Sequence, residues 1–273
     1  MIDPHLLAQE LAAAYARREV IAIPPSAREP ALDLPTAYAV EAELVRLRKA
    51  GGHAPVGRKV GFANKAVWRA LKLDTLVWAH MYDDTVRYAD HNDATLSLSR
   101  FYAPKIEPEI VFKMRKPLGA GEHDATAVLD AVEWVALGFE IIDCMYADWK
   151  FQPADFVASY GFHAGLIVGQ PLRPRREVIA TLCDQLPVFK VKLTKNGEIA
   201  ADGSGKNSLR SPALCVAELA SAITRQPAAE PLGAGELVSS GTLTESQFIA
   251  PGETWTAIID GMSLPSLTVR TER

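Results

Sequence analysis

The chain has 273 residues, 48% hydrophobic and 23% charged, with a formal net charge of −4, which suits a soluble globular protein of one large domain or two small ones. The only basic cluster, Arg173-Pro174-Arg175-Arg176, is too short for a nucleic-acid binder, and no apolar run is long enough for a membrane span. Three scattered cysteines, Cys144, Cys183 and Cys215, form no C-x-x-C, which argues against a disulfide framework or zinc knuckle and for a reducing cytoplasm.

Asp3-Pro4 reads as a helix start, with Leu7, Leu11, Ala14 and Tyr15 on one face. Glu10, Arg17, Arg18 and Glu19 break up any signal-peptide layout. After a Pro-rich connection, a second helix is expected from Thr36 to about Ala50, stopped by Gly51-Gly52. From Val56 the texture changes to short β-like runs. Val56–Phe62 is the first, followed by a short helix over Lys65–Leu73. Pro104–Met114 is a strand. Asp124 caps a helix expected to reach about Ala136, with Val128, Val132 and Val135 inward. Strands are then expected at Leu137–Asp143, Phe162–Val168 and Val188–Thr194, the last ending in a Lys195-Asn196-Gly197-Glu198 turn. Ser211-Pro212 opens a helix to about Thr224. Leu237–Leu243, Trp255–Ile259 and Leu264–Val269 close the chain as strands, the last two joined at Asp260-Gly261. Beyond position 100 strands outnumber helices without alternating regularly with them. The expected class is therefore α+β: a mixed β-roll or barrel over residues 56–273, with an N-terminal helical segment, residues 1–55, packed on it.

Chemistry concentrates in Lys105-Ile106-Glu107-Pro108-Glu109-Ile110. Alternation along a strand puts Glu107 and Glu109 on one side, about 7 Å apart. Glu140, in the apolar run Gly138-Phe139-Glu140-Ile141-Ile142, is a third acid whose burial is costly unless it is paired or bound to a metal. Together the three offer hard oxygen ligands suited to Mg²⁺ or Mn²⁺. Spacing alone leaves a second reading open, in which the acids neutralise lysines such as Lys105 or lie on an exposed edge that Pro108 permits. Lys59, in Gly57-Arg58-Lys59-Val60-Gly61-Phe62, is either a proton carrier whose pKa is lowered by burial and a cation or an ordinary ion-pair lysine. His163 is a candidate acid/base or substrate-orienting residue, against the commoner role of a hydrogen-bonded core histidine. Ser239-Ser240-Gly241-Thr242-Leu243-Thr244 offers hydroxyl and N–H groups to grip a carboxylate, or is simply a tight turn. Gly203-Ser204-Gly205-Lys206-Asn207-Ser208 departs from a phosphate loop at Ala200 and Asn207.

Taken in order, several stretches resemble the fumarylacetoacetate hydrolase superfamily, in its 2-oxopent-4-enoate hydratase and 4-oxalocrotonate decarboxylase branch. They are Gly57–Phe62 with Ala66-Val67 and Leu71, Glu107-Pro108-Glu109-Ile110, Phe139–Asp143 with Asp148-Trp149-Lys150, and Gly241–Thr244 with Pro251-Gly252-Glu253. The resemblance implies Glu107, Glu109 and Glu140 as ligands of Mg²⁺ or Mn²⁺, and Lys59, assisted by His163, as catalytic. Gly61, Ser159 and Thr242 are the expected substrate contacts. It implies a metal-dependent lyase that hydrates a 2-hydroxypenta-2,4-dienoate-type acid in aromatic catabolism. The alternatives are a 4-oxalocrotonate-type decarboxylase, an acylpyruvate C–C hydrolase using His163 as base, or an inactive oligomeric binding protein. It also implies a cytoplasmic homo-oligomer, with enzymes of the same pathway as further partners. The chain departs from the branch at Thr75-Leu76-Val77-Trp78, at Ala158-Ser159-Tyr160-Gly161 and at Gly205-Lys206-Asn207-Ser208, loops expected at the substrate's distal end.

Overall fold

In the computed structural model, residues 2–119, 121–227 and 229–273 are described. Helix α1 (Pro4–Arg17) begins where the Asp3 carboxylate accepts the N–H groups of His5 and Leu6, and it buries Leu7, Ala8, Leu11 and Ala14. Helix α2 (Leu34–Ala50) starts two residues before the expected Thr36, because Asp33 caps it through the Thr36 N–H at 2.9 Å. Then come β1 (Pro55–Gly61), α3 (Lys65–Leu71), β2 (Val77–Tyr82), β3 (Val86–Tyr88), β4 (Asp93–Ser97), β5 (Lys105–Met114), α4 (Ala125–Ala131) and β6 (Val132–Ile142). The rest comprises α5 (Pro153–Val157), β7 (His163–Val168), α6 (Ile179–Gln185), β8 (Lys190–Lys195), β9 (Glu198–Ser204), α7 (Pro212–Thr224), β10 (Leu237–Ser239), β11 (Gln247–Phe248), β12 (Thr254–Asp260) and β13 (Leu267–Glu272).

The strands form two mixed sheets. One, a curled half-barrel, runs β2-β1-β10-β5-β6-β7-β3, with β11 also paired to β5; the other runs β4-β13-β12-β8-β9. The mixed α+β architecture expected from irregular strand and helix order is the one observed. The half-barrel's central pair, β5 and β6, is almost wholly buried, and β6 is apolar apart from Glu133 and Glu140.

The helix expected from Asp124 to Ala136 is half strand. Asp124 caps α4 through the Ala127 N–H at 2.8 Å, but the helix stops at Ala131. Val132 and Val135 belong to β6, pairing with Met114 and Phe112 of β5. Val132, Trp134 and Val135 are β-favouring, and a long antiparallel partner outweighs the helical spacing of the valines. Val77 and Trp78, expected in a substrate-facing loop, are buried core residues of β2. The expected strand Leu237–Leu243 ends at Ser239, and the last strand is displaced to Leu267–Glu272.

The N-terminal helices are tied to the sheet by polar contacts. Tyr15 donates its hydroxyl to the Asp143 carbonyl, Ile21 N–H reaches the Met145 carbonyl, and the buried Asp155 carboxylate accepts the N–H groups of Ser26 and Gln152. β1 lies parallel to β10, pairing Lys59 with Ser239 and Gly57 with Leu237. A Cβ at Gly57 would stand 2.1 Å from the Leu237 carbonyl oxygen. Gly57→Ala is therefore expected to pry β1 from β10 and cost about 1–3 kcal/mol or more, read as a lower urea midpoint; an unchanged midpoint contradicts this packing.

Candidate active site

Adjacent strands carry the site side by side. Lys59 on β1 is opposite Ser239 on β10, Ser239 is opposite Val111 on β5, and Glu107 on β5 is opposite Glu140 on β6. Because side chains repeat at every second residue, Glu109 stands on the same face as Glu107 and Val111. One oxygen from each of Glu107, Glu109 and Glu140 lies within 4.8 Å of the other two. Glu109 and Glu140 are fully buried and Glu107 is half-buried.

Each acid has its own environment. Glu109 accepts the Ser239 hydroxyl at 2.6 Å and the Gly241 N–H at 2.8 Å on the same oxygen, Oε2. Glu140 Oε1 lies 2.9 Å from His163 Nδ1, and Oε2 lies 3.2 Å from the Lys59 ammonium, outside hydrogen-bonding angles. Glu109 Oε1 and Glu140 Oε2 are buried without a hydrogen-bond partner. Burial pushes the Glu109 carboxyl well above its ordinary range, and the charges of Glu140 and Glu107 push it further. Burial likewise raises Glu107 to about 7 against the pull of Lys59. Burial also opposes ionisation of Glu140, but Lys59 and His163 outweigh it and hold that carboxyl below the ordinary range. Three acids thus face one lysine. Glu109 Oε1, which has no partner, Glu140 Oε2, met only by the Lys59 ammonium, and the all-oxygen donor set fit a hard divalent cation.

Lys59 is 2% exposed. Its ammonium sits 4.7 Å from the centre of the Phe156 ring, and Gly161 lies against its stem, where a Cβ would be 2.7 Å from Lys59 Cδ. Burial pulls its pKa down, as expected from the sequence, yet Glu140, Glu107 and Glu109 more than offset burial and leave it above the ordinary lysine value. The expected lowering therefore does not come from the protein groups alone.

The other anticipated residues are placed differently. His163 has both ring nitrogens engaged, Nδ1 with Glu140 and Nε2 with the Thr85 hydroxyl at 2.9 Å. Gly61 packs under Phe156, whose ring would lie 2.4 Å from a Cβ there; its smallness seats the ring on which Lys59 rests. Ser159 is fully buried, its hydroxyl 2.6 Å from that of Tyr146. Thr242 donates its hydroxyl to the Thr244 carbonyl. Lys105 forms no ion pair with the acids, though its charge lowers the Glu107 carboxyl somewhat: its ammonium lies 4.1 Å from the centre of the Trp149 ring and 4.5 Å from that of Phe248. Two cavities of about 570 and 610 Å³ lie outside this cluster; His163 lines the first, and none of the acids nor Lys59 lines either.

Residues 78–270 match the family model described as fumarylacetoacetate (FAA) hydrolase C-terminal. The chain belongs to this FAA hydrolase family. It is 30% identical over 238 residues to the 2-hydroxyhexa-2,4-dienoate hydratase of Comamonas testosteroni, covering 87% of each chain. It is 29% identical to the 4-oxalocrotonate decarboxylase of Pseudomonas sp. (strain CF600), covering 85% of this chain and 84% of that one. The 4-oxalocrotonate decarboxylase from Pseudomonas putida G7, solved with magnesium and adipate, superposes with a TM-score of 0.87 at 26% identity, covering 98% of this chain and 97% of the other.

The grip of Ser239 and Gly241 on Glu109 was half legible in this FAA hydrolase family chain. The hydroxyl-rich loop does hold a carboxylate, but it is the protein's own. Ser239→Ala removes a donor to a fully buried acid and is expected to cost about 1–3 kcal/mol, measured by urea unfolding in chelator; a change below a few tenths would contradict the contact.

Proposed function

We propose that the chain is a divalent-metal-dependent lyase acting on a small 2-oxo or 2-hydroxydienoic acid. The observation that carries this reading is the convergence of Glu107, Glu109 and Glu140 within 4.8 Å, beside buried Lys59, with two acid oxygens left without hydrogen bonds. These three residues would hold Mg²⁺ or Mn²⁺. Bound there, the cation supplies Lewis-acid polarisation of a 2-oxo acid's carbonyl and a template for its carboxylate. Ser239 and Gly241 fix Glu109, and His163, braced by Thr85, fixes Glu140, so the cage is set before substrate arrives. Lys59 is the proton carrier to the substrate's carbon skeleton. In the hydratase reaction, water then adds to the conjugated alkene and gives a 4-hydroxy-2-oxo acid. The hydratase relatives, at 30% identity over most of the chain, support this reading.

Decarboxylation is the second reading, favoured by the superposition on 4-oxalocrotonate decarboxylase over 98% of the chain. There CO₂ leaves from a vinylogous carboxylate while Lys59 returns a proton to carbon. The C–C hydrolase alternative loses its base, since His163 has neither nitrogen free for a water. Assembly into a cytoplasmic homo-oligomer belongs to the same reading. The three cysteines are free, and no helix among the described residues is long and apolar enough to cross a membrane.

Protein stripped with chelator and restored with Mg²⁺ or Mn²⁺ is expected to consume 2-hydroxypenta-2,4-dienoate or 4-oxalocrotonate, followed by dienol absorbance and released CO₂. Lys59→Ala is expected to lower kcat about 10²–10⁴-fold with the fold intact by circular dichroism. No metal-dependent turnover of either acid by the wild type would refute the reading.

A further inference from the structure

Lys105 shares its strand face with Glu107, about 7 Å along β5. Its half-buried ammonium lies against the Trp149 and Phe248 rings, 4.1 and 4.5 Å from their centres. Among the described residues no carboxylate lies within ion-pair distance of it and it makes no side-chain hydrogen bond; the Glu107 charge reaches it only from a distance, and burial outweighs that charge. A second donor at the same place is orphaned: the indole N–H of Trp149 is buried without a partner. The rings are held there at a cost. Asp148 and Trp149 are consecutive non-glycine residues at φ 55° and 54°, a left-handed backbone that strains such residues by about 1–2 kcal/mol each. Phe248 is the strand partner of Lys105 and remains 60% exposed. A cation and an N–H donor, both without acceptors and one strand repeat from the acid cluster, form a site lacking an anion.

Resting on the function proposed above, we infer that Lys105, framed by Trp149 and Phe248, is a specificity-determining residue that binds the distal carboxylate of a dicarboxylic 2-oxo acid. The head of such a substrate sits at Glu107, Glu109 and Glu140, and its far end reaches along β5 to Lys105. The natural substrate is then a diacid, whether the enzyme hydrates or decarboxylates it. The Trp149 ring is itself held edge-on by buried Phe162, which packs against Phe151.

The test uses full-length protein saturated with Mg²⁺ and two non-reacting ligands, 2-oxohexanedioate and 2-oxohexanoate. They share the head group and chain length and differ only at the far end. By calorimetry the wild type is expected to bind the diacid about 10- to 100-fold more tightly, the range for one charge-assisted hydrogen bond. Lys105→Met, which keeps the stem and removes the charge, is expected to abolish that ratio and leave 2-oxohexanoate affinity unchanged. Equal wild-type affinities overturn the assignment without any variant having to fold, and so does a ratio that survives Lys105→Met. Failure of both acids to bind in the presence of Mg²⁺ sinks the proposed function and this assignment with it. Binding of both without discrimination sinks this assignment alone.

Discussion

The mutual repulsion of three carboxylates packed into one buried place is the constraint around which the half-barrel is organised. Left to themselves, acids in such surroundings neutralise by taking up protons. Here Glu107 and Glu109 are driven that way, while Glu140 is kept ionised by Lys59 and His163. Every nearby polar group responds to this cluster. Ser239 and Gly241 donate to Glu109, Thr85 braces His163, and His163 meets Glu140. Remove the register between β5 and β6 and the arrangement disappears, because Glu107 and Glu140 are directly paired across it.

That register explains why the site was legible before the fold was. Period-two alternation places Glu107 and Glu109 on one face in any strand, whatever its neighbours. An acid inside the apolar run around Glu140 signals an unusual local need. The partnership between the two runs was not readable from either alone, since strand pairing is a long-range property; there the ordered likeness to the FAA hydrolase superfamily supplied what local pattern could not. The Gly57–Phe62 run shows the same division. Its strand character is local, but only the β1–β10 pairing, with Leu237 against Gly57, explains why glycine is needed there.

The failures have equally specific causes. Residues 132–136 carry helical spacing and β-favouring side chains together, and ten paired residues of β5 decide the outcome. Val77 and Trp78, expected in a loop from the family resemblance, lie in β2, a short edge strand of the half-barrel paired to β1; Tyr38 of α2 accepts the Trp78 N–H. The hydroxyls of Ser159 and Thr242, expected as substrate contacts, each make a hydrogen bond within the chain, to Tyr146 and to the Thr244 carbonyl. A hydroxyl in a glycine-rich turn is equally suited to holding the chain's own polar groups, and sequence does not separate the two uses. Lys105 was weighed as a counter-ion for the acids. Its ammonium rests on the aromatic pair Trp149 and Phe248 without an ion pair, so its charge only partly offsets that of Glu107, and Phe248 is brought there by the short β11 pairing.

The central claim, that Glu107, Glu109 and Glu140 form one cation site, is tested most directly by counting bound Mn²⁺ with electron paramagnetic resonance. The wild type should bind one ion per chain, and Glu109→Gln and Glu140→Gln should each weaken that binding by at least 10-fold while remaining folded. A wild type that binds no Mn²⁺, or variants that bind it as tightly as the wild type, would contradict the account.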